Sequence, residues 1–339
     1  MDEHESAPPL LAVDQLVRRF PVRQGLIGGR SQMVRAVDGV TFSVDAGAAI
    51  GIVGESGCGK STLARCIVRL LEPDAGRVLF DGTDITHLKR ADLRPIWRRI
   101  GVVFQDPFTS LDPRMTAGEI IGEPAEIGQI GSALERRARV ASLLDLVGLS
   151  TRDHTRHPHE FSGGQRQRIG IARALCVEPR LLVCDEPVSA LDVSIQAQIL
   201  NLLGDLRAEL GFTLIVISHN LEVVRHLADR ILVMYLGSIV EDVPAADAFR
   251  IPAHPYTAAL RASMLVPGAA QAASGSVSTI RGDAPDPFDP PTGCRFHTRC
   301  PHAIERCRHE EPGVTHLAPE HSTRCHLPLY DGGRTVVSV

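Results

Sequence analysis

The feature that most constrains the fold of this chain is a glycine-rich loop between an apolar run and a helical pattern. Residues 48–53 form a short apolar run, as expected for a strand buried in a parallel sheet. The loop that follows, GESGCGKS over residues 54–61, fits the pattern G-x-x-x-x-G-K-[ST]. Glycines let successive backbone N–H groups turn toward phosphate oxygens, and the start of the next helix adds positive partial charge. The sequence therefore predicts an α/β fold with a phosphate-binding site at this loop.

Two side chains of this loop have predicted roles of their own. Lys60 should reach the β- and γ-phosphates of a bound ATP, and the Ser61 hydroxyl should be a ligand of Mg²⁺. The loop residues predicted to contact ATP are Gly54, Glu55, Ser56, Gly57, Cys58, Gly59, Lys60, Ser61 and Thr62.

Two adjacent acids follow a second apolar run. Residues 181–184 lead directly into Asp185 and Glu186. A carboxylate at a strand end opposite a phosphate loop suits Mg²⁺, and Asp185 is expected to hold the ion through water. Glu186 is expected to orient and polarise the water that attacks the γ-phosphate. The pair therefore predicts hydrolysis of ATP.

Length and charge exclude several classes of protein. With 339 residues, of which 44% are apolar, the chain can bury a large core without disulfides. Its net charge of −4 argues against a nucleic-acid-binding protein, which needs a basic surface. Asp2, Glu3 and Glu5 stand where a signal peptide would be positively charged, and no stretch reaches the ~18–20 apolar residues that span a bilayer. We therefore expect no signal peptide and only a peripheral role at a membrane.

A second glycine turn narrows the class further. Residues 161–165 read FSGGQ and helical spacing follows, which predicts a helix whose N-terminus can bind a second anion. The residues that open this helix are Ser162, Gly163, Gly164 and Gln165. The motif resembles the signature of ABC ATPases and differs from its commonest form in having Phe161 where leucine is usual.

Further landmarks of the ABC ATPases occur in the expected order. They are Gln105 after a predicted strand, Asp192 in a Ser-Ala-Leu-Asp loop, and His219 at the end of another predicted strand. The resemblance implies that Gln105 touches Mg²⁺ and senses a membrane partner. It implies that His219 contacts the γ-phosphate and the attacking water. It also implies an aromatic residue that stacks on adenine, for which Phe20 has the expected position and Phe42 is the alternative.

The fold that the resemblance implies is an α/β, P-loop ABC ATPase core. An inserted helical subdomain is expected at about residues 106–160, an N-terminal antiparallel β part before the core, and a small Cys-rich C-terminal extension after it. Residues 1–265 are expected to form the ATP-binding domain, and residues 266–339 a linker plus the extension. The linker is predicted at residues 267–291, which are rich in Ala, Gly, Ser, Pro and Asp.

ABC ATPases work in pairs, because the signature turn of one subunit closes over ATP held by the phosphate loop of the other. This chain has one such set of motifs, so it is expected to need a second chain. Five segments resemble the oligopeptide/dipeptide importer ATPases, and in particular the second of that system's two ATPase subunits. These segments are residues 54–66, 104–116, 184–200, 234–241 and 254–260.

The importer resemblance implies a set of partners and a location. The partners are a sister ATPase, two membrane permeases and an extracytoplasmic binding protein, and the chain would lie peripherally on the cytoplasmic face of the membrane. Nickel, glutathione or murein peptides are alternative cargoes, because related importers carry them. A different alternative is a soluble ABC ATPase that acts on DNA repair or ribosomes. Such proteins usually have fused cassettes or long insertions, and neither is visible in the sequence.

A cysteine-rich tail follows the predicted linker. Cys294, Cys300, Cys307 and Cys325 have the spacing C-x₅-C-x₆-C-x₁₇-C, and four thiolates can hold Zn²⁺ or a [4Fe–4S] cluster. The spacing resembles the C-terminal cluster motif of peptide-importer ATPases, which favours the iron–sulfur cluster. Zinc and simple reduced cysteines stay open as alternatives, whereas disulfides are not expected in a cytosolic chain.

Overall fold

Two β-sheets and the helices around them make up the part of the chain that the computed structural model describes, namely residues 8–23, 31–106, 109–264, 282, 285–286 and 288–330. The first elements are β1 (Leu11–Arg23), β2 (Ser31–Val44), β3 (Ala49–Val53), α1 (Lys60–Ile67), β4 (Ala75–Phe80), β5 (Thr83–Asp84), α2 (Arg90–Trp97) and β6 (Ile100–Val103). The helical stretch that follows contains α3 (Ala117–Ile127), α4 (Ala133–Leu146), two 3₁₀ turns (Thr151–Thr155 and Pro158–Glu160) and α5 (Gly163–Leu175). The remaining elements are β7 (Leu181–Asp185), α6 (Val193–Leu210), β8 (Thr213–Ser218), α7 (Leu221–Leu227), β9 (Arg230–Tyr235), β10 (Ser238–Pro244), α8 (Ala245–Arg250), α9 (Pro255–Met264), α10 (Arg306–His309), β11 (Thr315–Ala318) and β12 (His321–Thr323).

The larger sheet positions the predicted motifs. Its strand order is β11-β12-β10-β9-β3-β8-β7-β6, and the strands from β6 to β9 in this order are parallel. Strand β3 is buried along its whole length, with Ile52 opposite Ile217 on β8 and Leu232 on β9. Parallel strands end at the same edge of a sheet, so the segments after β3, β7 and β8 lie side by side. These segments carry the phosphate loop, the two acids and His219.

The smaller sheet is the predicted N-terminal antiparallel part, with strand order β2-β1-β4-β5. Leu16 and Phe80 from this sheet share an apolar cluster with Ile50 and Ile52 of β3, and all four side chains are at most 2% exposed. The smaller sheet therefore packs against the central strand of the larger one.

The helices predicted between residues 106 and 160 are present. Helices α3 and α4 both begin with a capping box, Thr116 with Glu119 and Ser132 with Glu135. Ile121 and other apolar side chains of α3 pack in the same buried cluster as α4 and α5. The helical spacing of residues 62–71 and the proline at Pro73 predict a helix that ends at about residue 71, whereas α1 ends at Ile67.

The early end of α1 is explained by Arg69, which follows the helix. Arg69 has a left-handed backbone with φ of 57°, which no helix can continue through. Its buried guanidinium donates from Nε to the Ile85 carbonyl oxygen over 2.8 Å. This tertiary contact holds Arg69 in its strained conformation and ends the helix before the proline that the sequence pattern indicates.

The cysteine-bearing segment is joined to the larger sheet. Strand β12 pairs antiparallel with β10, with Thr323 opposite Glu241, and β11 pairs with β12. His321 Nε2 and Glu241 Oε1 are 2.7 Å apart, and both side chains are almost fully buried. The boundary predicted at residues 265 and 266, and most of the linker predicted at 267–291, lie outside the described residues. Within the residues that are described, no helix is long and apolar enough to cross a bilayer.

Candidate functional site

The phosphate loop depends on glycine at its turn into α1. Gly59 has φ of 108°, and a Cβ atom at this position would lie 1.9 Å from the Ala36 carbonyl oxygen. Gly57 also has a positive φ, 81°, with open space around it. Only glycine has free access to this left-handed region, and only glycine has no Cβ to clash. The two residues therefore make possible the sharp turn that aims backbone N–H groups into the loop.

Lys60 lies inside the loop and is 4% exposed. Its Nζ donates to the carbonyl oxygens of Gly54 over 2.8 Å and Glu55 over 3.0 Å. The ammonium group therefore lies over the loop, where phosphate oxygens would replace or join these carbonyl partners. The predicted contact of Lys60 with the β- and γ-phosphates stays a prediction.

Ser61 and Asp185 are the two residues that could offer oxygen ligands to a divalent cation. Ser61 Oγ donates to Asp185 Oδ1 over 2.9 Å, and Asp185 is 5% exposed. Burial raises the pKa of the Asp185 carboxyl, while the Ser61 hydrogen bond works in the opposite direction. A hydroxyl and a carboxylate at the end of the phosphate loop fit the hard-oxygen coordination that Mg²⁺ prefers.

Glu186 brings two further predicted residues together. Its Oε2 lies 3.1 Å from His219 Nδ1 and 3.3 Å from Gln105 Nε2. The backbone of Glu186 has φ of 48°, a costly value for a residue with a side chain, and its N–H donates to the Ile217 carbonyl oxygen over 2.9 Å. Strand β8 therefore fixes the turn that aims this carboxylate, and an arrangement of one carboxylate, one imidazole and one amide can orient a water molecule.

The second glycine turn forms the start of α5, as predicted. Ser162 is its N-cap: the Gln165 N–H donates to Ser162 Oγ, and the Ser162 N–H donates to Gln165 Oε1 over 3.0 Å. A Cβ on Gly164 would lie 2.6 Å from Ile195 Cγ2, so the turn packs closely on α6. Asp192 is the N-cap residue of that helix and is exposed. The turn at Ser162 and the loop at Asp192 therefore adjoin one another on the surface.

The two adenine-stacking candidates differ in their surroundings. Phe42 is 6% exposed within the apolar core of the smaller sheet. Phe20 is half-buried, with the Arg18 guanidinium 4.9 Å above its ring. It lies opposite Val34 on β2, and Val34 lines a cavity that also contains Gly57 of the phosphate loop. Of the two, Phe20 has the better access to a nucleotide.

Sequence reasoning missed two residues that touch the phosphate loop. Tyr256 Oη accepts the backbone N–H of Glu55 over 2.9 Å, and Arg299 pairs with the Glu55 carboxylate. Tyr256 lies in the HPYTAAL segment, residues 254–260, which resembles the importer ATPases. The resemblance marked this segment but indicated no role for the tyrosine. Arg299 lies directly before Cys300, in a region that the sequence marks for its cysteines.

The four predicted cysteine ligands line one small cavity, here called the cysteine cavity: Cys294, Cys300, Cys307 and Cys325. Burial raises the pKa of the Cys300 thiol to about 11 and that of Cys325 to about 12, with the neighbouring thiols adding to the effect. Among the described residues, however, no three His, Cys, Asp or Glu side chains are arranged so that they could hold a metal ion. The four cysteines line one cavity, but their side chains do not form a ligand set as they stand.

Two family models match the sequence. One, described as ABC transporter, matches residues 37–189, and the other, described as the C-terminal region of the oligopeptide/dipeptide transporter, matches residues 240–307. The "Probable peptide ABC transporter ATP-binding protein y4tS" of Sinorhizobium fredii (strain NBRC 101917 / NGR234) is 50% identical, over 94% of this chain and 90% of its own length. The "Oligopeptide transport ATP-binding protein AppF" of Bacillus subtilis (strain 168) is 48% identical, over 94% of this chain and 97% of its own length.

Solved structures with the same fold include the ATP-binding cassette MJ0796. Its dimer in a post-hydrolysis state, bound to ADP and Pi, is 31% identical with a TM-score of 0.62. The match covers 69% of this chain and 98% of that one. The match therefore leaves about a third of this chain outside the shared fold.

Proposed function

The chain belongs to the ABC transporter ATP-binding subunits of the oligopeptide/dipeptide type and is an ATPase; on this premise we propose that it powers the import of di- or oligopeptides. One observation carries the proposal. The phosphate loop, the side-chain oxygens of Ser61 and Asp185, and the side chains of Glu186 and His219 lie together at one edge of the parallel sheet. The names of the relatives favour peptides over nickel or glutathione as cargo.

In this proposal the loop and its neighbours bind MgATP. The N–H groups of the turn around Gly57 and the Lys60 ammonium hold the phosphates, and Phe20 stacks on the adenine ring. Ser61, Asp185 and Gln105 would hold Mg²⁺, which would supply positive charge to offset the negative charge of the phosphates. Thr62 follows Ser61 at the start of α1, where helix N–H groups face the phosphates.

Glu186 and His219 act on the attacking water. The Glu186 carboxylate accepts a hydrogen bond from the water and draws its proton away as the oxygen approaches the γ-phosphorus. The imidazole, whose Nδ1 lies 3.1 Å from the same carboxylate oxygen, keeps the carboxylate in place and contacts the γ-phosphate and the attacking water.

The signature turn completes a second ATP site on a partner ATPase. The start of α5 is a helix N-terminus with two glycines, which suits the γ-phosphate of ATP held by another chain. Asp192 adjoins this turn and would face the same partner. We therefore propose a pair of ATPase subunits, with a sister subunit as the partner, that ATP joins and hydrolysis releases.

The pair would act on membrane permeases. Helices α3 and α4 form an exposed groove, and Ile127 and Leu134 beside it are 76% and 78% exposed. Exposed apolar side chains next to a groove suit contact with another protein. We propose that this groove contacts a permease subunit at the cytoplasmic face of a membrane. The pair of ATPases would then act on two permease subunits, and an extracytoplasmic binding protein would deliver the cargo.

Replacement of Glu186 by Gln tests the catalytic part of the proposal. The amide keeps the size of the side chain but cannot take a proton, so ATP turnover should fall by at least about a hundredfold while MgATP binding is retained. Glu209→Gln, an exposed change on α6, is the control and should turn over ATP as the wild type does. Undiminished hydrolysis by Glu186→Gln would refute the role assigned to this carboxylate.

Reconstitution with the permeases tests the transport part. ATP turnover of the complex in proteoliposomes should rise when the binding protein is supplied with di- or oligopeptides. If nickel or glutathione stimulated ATP turnover and peptides did not, the proposal of peptides as the cargo would be wrong. Hydrolysis without any association with permeases would favour a non-transport ABC ATPase.

We further propose that the cysteine cavity binds a metal centre, either a [4Fe–4S] cluster or Zn²⁺. Its support is the convergence of the four cysteines on one cavity; to form a ligand set, their side chains must turn inward and lose their protons. Iron, sulfide and zinc analysis of anaerobically purified protein is the test, with Cys300→Ser expected to lose the metal and the buried Cys66→Ser to keep it. Wild-type protein without iron or zinc would overturn this proposal.

A further inference from the structure

Glu55, the second residue of the phosphate loop, is held by three side chains, two of which lie outside the loop. Its backbone N–H donates to Tyr256 Oη over 2.9 Å. Its carboxylate oxygens accept hydrogen bonds from both terminal nitrogens of Arg299, at 2.8 and 3.0 Å. Its carbonyl oxygen accepts the Lys60 ammonium at 3.0 Å. The start of the loop is therefore fixed largely by residues that lie 201 and 244 positions away in sequence.

Arg299 is itself held in place. Its side chain is 7% exposed, and it also donates from Nη1 to Tyr235 Oη over 3.3 Å. A two-point contact between a guanidinium and a carboxylate fixes direction as well as distance, and it is stronger than a single neutral hydrogen bond. Because the pair is largely buried, removing one partner leaves the other charge poorly solvated.

The turn that carries Arg299 is anchored by aromatic rings. The Arg299 N–H donates to the Phe296 carbonyl oxygen over 3.0 Å. The Phe296 ring packs against Tyr235 and Tyr256, with centroid separations of 5.3 and 5.4 Å. Tyr256 is the residue that accepts the Glu55 N–H, so one aromatic group supports both contacts to the loop.

The chemistry of ATP binding explains why Glu55 needs such a partner. The pattern G-x-x-x-x-G-K-[ST] leaves position 55 open, so phosphate binding does not call for a carboxylate there. A free carboxylate beside the phosphates would repel them, and the repulsion grows where water is excluded. Arg299 neutralises this charge and holds the carboxylate on the side of the loop that faces the C-terminal segment.

We propose that Arg299 is a positioning residue for ATP binding, which acts by neutralising and orienting Glu55 and thereby setting the shape of the phosphate loop. The proposal rests on ATP binding at this loop and makes the C-terminal segment part of the ATP site. The segment that bears the cysteines then contributes directly to the affinity for nucleotide. Its role is therefore not limited to stability or to contacts with other subunits.

Arg299→Gln is the primary test, measured on the full-length chain. The Kd for MgATP and the KM for ATP should both rise on the order of tenfold, while kcat stays within about twofold. The reason is that the loop contacts ATP in the ground state and the transition state alike, whereas Glu186 and His219 set the chemical step. Arg306→Gln is the matched control, because Arg306 is an exposed arginine of the same segment that pairs with Glu310. It should leave Kd, KM and kcat unchanged.

A double-mutant cycle separates positioning from a general loss of stability. Glu55→Gln alone should raise the Kd for MgATP by less than about threefold, since the amide carries no charge to repel phosphate. Adding Glu55→Gln to Arg299→Gln should then restore most of the lost affinity. Arg299→Lys, which keeps the charge but loses the second hydrogen bond, should have an intermediate Kd and serves as the readout if Arg299→Gln does not fold.

Two results would overturn the proposal. One is a Kd for MgATP that stays within twofold of wild type in Arg299→Gln or, where that variant does not fold, in Arg299→Lys. The other is a double variant in which the separate effects simply multiply, because that would show that the two residues act independently. Calorimetry measures nucleotide binding without a partner subunit. The Kd values of the single and double variants can therefore be measured even where transport or ATP turnover fails.

Discussion

Ser61 and Asp185 are joined by a hydrogen bond of 2.9 Å between Oγ and Oδ1, which connects the first turn of α1 to the end of β7. The two residues are 124 positions apart in sequence, and only the parallel order of β3, β8 and β7 brings them together. The contact places two hard oxygen atoms beside the phosphate loop. It also gives the buried Asp185 carboxylate a hydrogen-bond donor.

Asp185→Asn should separate Mg²⁺ binding from stability. The amide lacks the charge that attracts the ion, so the Mg²⁺ concentration for half-maximal ATP turnover should rise on the order of tenfold. Burial raises the pKa of the Asp185 carboxyl, so the ionised group costs the folded state free energy at neutral pH. The Tm without nucleotide should therefore stay the same or rise.

Magnesium titrations of ATP turnover and thermal unfolding, carried out together, check this prediction. Asp205→Asn, at an exposed position of α6, is the control and should change neither quantity. An unchanged magnesium requirement in Asp185→Asn would contradict the assignment of Asp185 to the metal.

Gly59→Ala should damage both the fold and nucleotide binding. The new Cβ would lie 1.9 Å from the Ala36 carbonyl oxygen, at a φ of 108° that alanine rarely adopts. The free energy of unfolding should fall by roughly 3 kcal/mol or more, and MgATP binding should be lost. Gly82→Ala is the control, because Gly82 also has a positive φ, 74°, but open space around it. Its cost should be about 1 kcal/mol, and urea unfolding of both variants measures the difference.

Ser162→Asp should separate the capping role of this residue from its role toward a partner. Aspartate is a good N-cap, so α5 and the Tm of the isolated chain should be preserved. The added negative charge would face the γ-phosphate of ATP on the partner subunit, so ATP-driven pairing and ATP turnover should fall about tenfold or more. Sedimentation with MgATP in a Glu186→Gln background measures the pairing.

Ser132→Asp is the matched control for that experiment. Ser132 caps α4 with the same capping-box geometry, so its replacement makes the same chemical change at a helix that carries no predicted phosphate contact. Equal loss of turnover in both variants would argue against a special role for Ser162.

The phosphate loop, Glu186 and His219 could be predicted because each belongs to a pattern of neighbouring residues in the sequence. The strand, loop and helix around Lys60 are consecutive, so one stretch of sequence contains all that specifies them. Glu186 and His219 each follow a buried strand directly, and the parallel sheet brings strand ends together. The side chains that converge in the structure were therefore already marked by their position after strands.

The remaining features depend on contacts that leave no local pattern. Arg299 and Glu55 are 244 residues apart, and neither has neighbours that indicate a partner. Strand β12 pairs with β10, and the buried contact between His321 and Glu241, 80 residues apart, joins the same two strands. Helix α2 contains Pro95 in its interior, where sequence patterns predict an end to a helix. Contacts between residues distant in sequence explain the first two of these cases.

His254 should make the stability of the chain depend on pH. Burial lowers the pKa of this imidazole to about 4, and its Nδ1 accepts the Tyr256 N–H over 3.0 Å, which requires that this nitrogen carry no proton. The unfolded chain binds a proton near the ordinary pKa of about 6.5, whereas the folded chain does not until about pH 4. Stability is therefore complete above pH 6.5 and is lost progressively as the pH falls toward 4.

Urea unfolding at pH 7 and pH 5 checks this dependence. The free energy of unfolding should fall by about 2 kcal/mol between these values because of His254 alone. In His254→Asn the amide oxygen can still accept the N–H two residues on, as in an Asx-turn, but the side chain does not titrate. That variant should be less stable at pH 7, because it leaves a small cavity, and should lose less stability at pH 5 than the wild type. The exposed control His316→Asn should keep the wild-type dependence, and an equally steep loss in His254→Asn would show that another group is responsible.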